Sequence, residues 1–149
     1  MIPIGLSIGK VMKNYTVAVC VDDGQGLMLF GKRQSRDRVL ISEFVESNSD
    51  KKIYIAPFSK LLFEQYPDVS VADDPFSVAE EGSAIFVENL RIDEMLDSVS
   101  TLIIYRWNRK YPSDVKFNVD PVKCGFKLKS SVDFKGSSHE KITKEIYER

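Results

Sequence analysis

Residues 15–21 read Tyr-Thr-Val-Ala-Val-Cys-Val, apolar at nearly every position and rich in β-branched side chains. A short run that is apolar on both faces suits a strand covered from each side, so this one predicts a central strand that ends at Asp22-Asp23-Gly24. A loop through Gly26 and Gly31 follows, and from Ser35 onward the period changes. Leu40, Ile41, Phe44 and Val45 share one helical face within residues 36–46. Ser35 is the expected N-cap, with Asp37 in the first turn, where a carboxylate meets unpaired backbone N–H groups.

The same grammar repeats along the chain. Ile53-Tyr54-Ile55-Ala56 predicts a strand, and 57–66 a helix with Phe58, Leu61, Leu62 and Tyr66 on one side, stopped by Pro67. A short strand at 69–72 and a loop with a helical turn at 73–82 lead to Ala84-Ile85-Phe86-Val87, another buried strand. Asn89 is a suitable cap for a helix carrying Ile92, Met95, Leu96 and Val99, and a strand at 101–105 follows. Strand and helix in alternation predict a mostly parallel central sheet flanked by helices. After Trp107 the period becomes two: Val115, Phe117 and Val119 alternate with polar residues, as do Phe126, Leu128, Val132 and Phe134, and Ile142 and Ile146 lie in a last run. Residues 135–140 separate the final two runs, which predicts a C-terminal antiparallel hairpin on the sheet edge and about eight strands in all.

Composition narrows the class. The 149 residues suit one α/β domain over 15–149 behind an N-terminal extension at 1–14. At 43% hydrophobic and 29% charged, with 21 Lys+Arg against 22 Asp+Glu, the chain has neither the bias of a disordered segment nor the basic excess of a general nucleic-acid binder. Residues 1–14 contain Pro3, Gly5, Gly9 and two lysines and lack the apolar core of a signal peptide. No run has the length of a membrane span, so the expected location is cytoplasmic. Cys20 and Cys124 are the only cysteines, too few for a disulfide framework or a four-ligand zinc site, and read as structural thiols.

The order of elements from about Tyr15 to the C-terminus resembles that of dihydrofolate reductase, and Val19-Cys20-Val21-Asp22-Asp23-Gly24-Gln25-Gly26-Leu27 is similar to that family's first strand and substrate-side loop. The resemblance implies an α/β, dihydrofolate reductase-like fold. It also implies a carboxylate on the first helix that holds a pterin ring, a part open to Asp37 or Glu43, with Asp37 closer in spacing; the plainer reading of Asp37 is a charge at a helix N-terminus. Where the family has a Gly-Arg-Lys/His-Thr turn that grips the cofactor phosphate, this chain has Ala56-Pro57-Phe58-Ser59, with no arginine and only one hydroxyl. Where the family has a Gly-Gly pair that lets backbone approach the pyrophosphate, this chain has Val87-Glu88-Asn89, two side chains longer and one charge more negative. The family's tryptophan segment before the first helix is replaced by Gly31-Lys32-Arg33-Gln34. Binding of NADPH and nicotinamide-dependent reduction are therefore not expected, and no cofactor is implied.

Three further segments, Arg33-Gln34-Ser35-Arg36-Asp37-Arg38, 105–114 around Trp107, and Gly136-Ser137-Ser138-His139-Glu140-Lys141-Ile142-Thr143, resemble a family of short bacterial proteins often labelled ribonuclease Z. Ribonuclease Z is a two-zinc phosphodiesterase that needs several histidines, and this chain has one.

The candidate binding residues are Arg33, Arg36, Arg38, Arg106 and Arg109, at a helix start and a central strand end, both on the side where open α/β sheets bind ligands. Guanidinium groups pair planar oxyanions, so a small anionic or nucleotide-like molecule is the expected partner. The plainer reading pairs these cations with Asp22, Asp23, Asp37 and Asp114 in a surface network. Asp37 and His139 are the candidate catalytic residues; His139 can act as a general acid or base with Glu140 or Lys141, or simply satisfy loop backbone groups. Trp107 and Tyr111 read as packing anchors, or as a platform that stacks a base. Two other functions stay open: a divergent enzyme that keeps Asp37 and a pterin-like pocket, and a homo-oligomeric or protein-interaction subunit using its edge hairpin.

Overall fold

The computed structural model describes residues 13–149, so nearly all of the extension expected at 1–14 lies outside the described residues. The strands are β1 (Tyr15–Val21), β2 (Gly26–Leu29), β3 (Lys32–Arg33), β4 (Ile53–Ile55), β5 (Ser70–Val71), β6 (Ala84–Phe86), β7 (Val99–Arg106), β8 (Val115–Lys116), β9 (Lys127–Phe134) and β10 (Ile142–Glu148). The α-helices are α1 (Arg38–Ser47) and the single turn α2 (Pro75–Val78); two 3-10 segments, η1 (Pro57–Phe63) and η2 (Asp93–Ser98), complete the set.

Seven strands form one sheet in the order β5-β4-β6-β1-β7-β10-β9. β5, β4, β6, β1 and β7 run parallel, and β10 pairs antiparallel with both β7 and β9. The parallel core with a C-terminal antiparallel hairpin is as the periodicity predicts. The hairpin is threaded inward, however: β10, last in sequence, lies inside the sheet, and β9 forms the edge. β1 is buried over almost its whole length because apolar layers cover both faces. One layer centres on Tyr15, Val17, Val19, Leu102 and Ile104, the other on Ala18, Phe44, Phe86, Ile103 and Tyr105.

Four local expectations change. The loop expected after β1 holds β2 and β3, which pair with β8 as a separate three-stranded sheet. These strands are two to four residues long, and β3 and β8 lie largely exposed, so their pairing is set by tertiary contact and leaves too short a pattern to read. The helix expected at 57–66 is the 3-10 segment η1, with Pro57 at its start. The helix expected from Asn89 forms only as η2; Val99, expected on its apolar face, instead begins β7. The α1 N-cap is Asp37, not Ser35: residue 37 is extended, and its side chain accepts from the N–H groups of Val39 and Leu40. No helix among the described residues is long and apolar enough to cross a membrane.

Candidate functional site

β1, β6 and β7 end side by side, and their exits deliver Asp22, Glu88 and Trp107 to one edge of the sheet. There Asp37 joins the start of α1 to the loop between β9 and β10. Its Oδ1 accepts from the backbone N–H groups of Val39, Leu40 and Ser137 at 3.0, 3.2 and 2.9 Å. Its Oδ2 accepts from the Ser138 N–H at 2.8 Å and lies 3.1 Å from His139 Nδ1. Five donors surround one buried carboxylate. Burial pushes this carboxyl up, but the N–H groups of Ser137 and Ser138, His139 and Leu40 outweigh it and bring it down to about 2.

His139 is as enclosed as its partner. Its ring stacks on Trp107 with centroids 4.5 Å apart. Nε2 lies 3.1 Å from Ser35 Oγ and 3.0 Å from the Tyr111 hydroxyl. The two candidate catalytic residues, 102 positions apart in sequence, are thus in contact. Glu140 and Lys141, the sequence neighbours expected to work with His139, are exposed. Ser35, Trp107 and Tyr111 are legible in sequence as a cap and packing anchors, with nothing local to link them to His139.

The five arginines divide. Arg33 Nε donates to Glu88 Oε2 at 2.8 Å and its Nη2 to Glu88 Oε1 at 2.9 Å and to the Phe58 carbonyl. Ser59 Oγ adds a 2.8 Å bond to Glu88 Oε1. Arg106 pairs with Glu145 at 2.9 Å and donates to Gln25. Arg36, Arg38 and Arg109 are exposed and make no ion pair among the described residues. The partners named by the plainer reading act otherwise: Asp22 accepts from the N–H groups of Gly24, Gly26 and Tyr111, and Asp114 from that of Phe30. Glu43, the other candidate ring-holder, accepts from Tyr105 and Lys144.

Arg33→Ala should destabilise the fold by about 1–2 kcal/mol in urea unfolding, since it strips a half-buried carboxylate of its bidentate donor. The double variant Arg33→Ala/Glu88→Ala should recover part of that loss.

Arg36 borders two spaces at this edge. A cavity of about 20 Å³, lined by Cys20, Ser35, Arg36, Leu40, Leu62 and Trp107 among others, holds about one water-sized group. A groove of about 410 Å³ runs from Arg36, Arg38, Ser137 and Ser138 across Ile41, Leu61 and Leu62 to Glu64 and Tyr66.

No protein-family model and no curated protein sequence matches the chain. Among solved structures, dihydrofolate reductase from Enterococcus faecalis, complexed with NADP(H) and RAB-propyl, superposes with a TM-score of 0.66 at 11% identity, covering 93% of this chain and 97% of that one. The fold is dihydrofolate reductase-like. A nicotinamide dinucleotide, which this resemblance implies, would meet side chains of this chain where that family has glycines. At the Gly-Gly position the Glu88 side chain occupies the approach, its carboxylate bound by Arg33 and Ser59. Ser59 is also the one hydroxyl of the segment that replaces the phosphate-gripping turn, so the residues present do not fit the group. Likewise Asp37, the nearer in spacing of the two candidate ring-holders, has its oxygens engaged by the protein's own N–H groups.

Proposed function

We propose that this reductase-like domain binds a small anionic or nucleotide-like ligand in the groove between α1, η1 and the β9–β10 loop, without nicotinamide-dependent reduction. The observation that carries the reading is the pairing pattern of the arginines. Arg33 and Arg106 are neutralised by Glu88 and Glu145, whereas Arg36 and Arg38 stand exposed at the groove with no acidic partner among the described residues. Beside them the Ser137 and Ser138 side chains offer hydroxyls, and Ile41, Leu61, Leu62 and Tyr66 offer an apolar wall for a ring or short chain. At about 410 Å³ the groove has the size of a small-molecule site. Arg109 does not line it and acts at most through long-range attraction.

Thermal melting with phosphate, ATP, folate and NADPH tests the reading. A bound ligand at about 100 times its Kd adds about 2.7 kcal/mol of stability, several degrees in Tm. Phosphate or ATP should raise Tm, and the effect should vanish in Arg36→Ala and Arg38→Ala. Stabilisation by NADPH but not by ATP or phosphate, or an anion effect that survives both substitutions, would overturn it.

A second reading rests on a different observation. β9 is an eight-residue edge strand whose Leu128 and Val132 are about half exposed, at 51% and 56%. An edge of this kind can accept a strand from another chain. A Tm that rises with protein concentration would favour this assembly role.

A further inference from the structure

The groups around His139 stand in an order with chemical meaning. Asp37 Oδ2 faces Nδ1 at 3.1 Å, and Ser35 Oγ faces Nε2 at 3.1 Å. Carboxylate, imidazole and hydroxyl in that order are the group that orients the base, the base and the nucleophile. We infer that Ser35, with His139 as base and Asp37 as positioning residue, hydrolyses small carboxylic esters at the edge cavity, an activity beyond ligand binding in the groove.

Each part of the constellation is held. The Asp37 carboxylate is buried and kept ionised by its N–H donors, so in the neutral ring the His139 proton sits on Nδ1 and Nε2 presents its lone pair to a hydroxyl. Trp107 stacks on one face of the ring and prevents it from turning. Ser35 is half-buried and is one of the residues that line the cavity. Arg36 lines the same cavity, which puts a cation with no acidic partner among the described residues beside the place where negative charge would develop on a carbonyl oxygen. The cavity has room for only about one water-sized group, so the smallest acyl groups should react fastest.

The reaction balances with water as the only co-reactant. Ser35 Oγ bonds to the ester carbonyl carbon while its proton passes to Nε2, and the carbonyl oxygen takes up the negative charge. Collapse breaks the bond to the alcohol oxygen, which leaves with the proton from Nε2, and Ser35 is acylated. Water then attacks the acyl carbon and gives a proton to Nε2. The bond to Ser35 Oγ breaks, the oxygen recovers that proton, and the carboxylic acid departs.

Tyr111 makes the inference testable in a way that a purely structural His139 would not satisfy. Its hydroxyl, 3.0 Å from Nε2, competes with Ser35 for a single lone pair. The probe is p-nitrophenyl acetate with the intact chain, followed by nitrophenolate release and by peptide mass spectrometry after an acid quench. Expected are an acetyl group on the Ser35 peptide, a loss of about 100-fold in rate in Ser35→Ala, and a faster release in Tyr111→Phe. Butyrate esters should react more slowly than acetate. Acetyl groups found only on lysines, a Ser35→Ala variant that releases nitrophenolate at the parental rate, or a Tyr111→Phe variant that is folded but no faster would each overturn the assignment.

Discussion

Asp37→Asn should cost about 3–5 kcal/mol of unfolding free energy near neutral pH, in the range seen when one partner of a buried charge-assisted network is removed. An amide keeps the shape but offers one acceptor oxygen where the carboxylate offers two. Its NH2 group then points at backbone N–H groups or at His139, whichever way it is turned. The same substitution has a pH signature. The carboxyl lies at about 2 in the folded chain against an ordinary value of 3.8, so its contribution is fully present above the unfolded value and is lost as pH falls through the folded one. On the order of 2 kcal/mol of stability should therefore disappear between about pH 5 and pH 1. The wild-type protein shows this loss and the Asp37→Asn variant does not, so the two stability profiles from urea unfolding should converge as the solution is acidified. Profiles that stay parallel down to pH 2 would show that Asp37 does not titrate in this way.

Gly136→Ala should cost about 3 kcal/mol, a fall in Tm of roughly 6–12 °C, although only one methyl group is added. A Cβ at this position would overlap Asp37 Oδ2 and lie 2.7 Å from Asp37 Cγ and 2.8 Å from Ile142 Cδ1. None of these atoms can retreat cheaply. The carboxylate is bound on both oxygens, and Ile142 is fully buried. The loop must lift away from α1, and with it the N–H groups of Ser137 and Ser138. A melting temperature within about 2 °C of wild type, on the scale where roughly 2–4 °C corresponds to 1 kcal/mol, would show that the loop is looser than this packing requires.

The chain's local patterns carry its fold unevenly. β1, β4, β6 and β7 are legible because strands buried on both faces need continuous apolar residues, and α1 because Leu40, Ile41 and Phe44 all face the core. β2, β3 and β8 are not, since Lys32 and Val115 sit exposed in strands defined by their partners alone. The apolar set Ile92, Met95, Leu96 and Val99 reads as one helix because a period of three and four does not reveal that its last member has crossed into a strand.

The site shows the same division. Arginines at the sheet edge are visible in sequence, whereas their neutralisation is not, because Arg33 and Glu88 are 55 positions apart. The contact between Asp37 and His139 is beyond any local pattern. Their residue types mark each as chemically capable, and only the return of the final hairpin to the start of α1 makes them neighbours.

That return bears on the order in which the molecule can be completed. Three of the five donors to Asp37 come from residues 137–139, and β10, which follows them, fills the place between β7 and β9. Until residues 137–148 have packed, Asp37 has only its two donors from α1, and β7 presents an open edge. One segment closes both gaps at once, so a chain cut before residue 137 would lose a strand of its sheet together with the donors that hold a buried carboxylate.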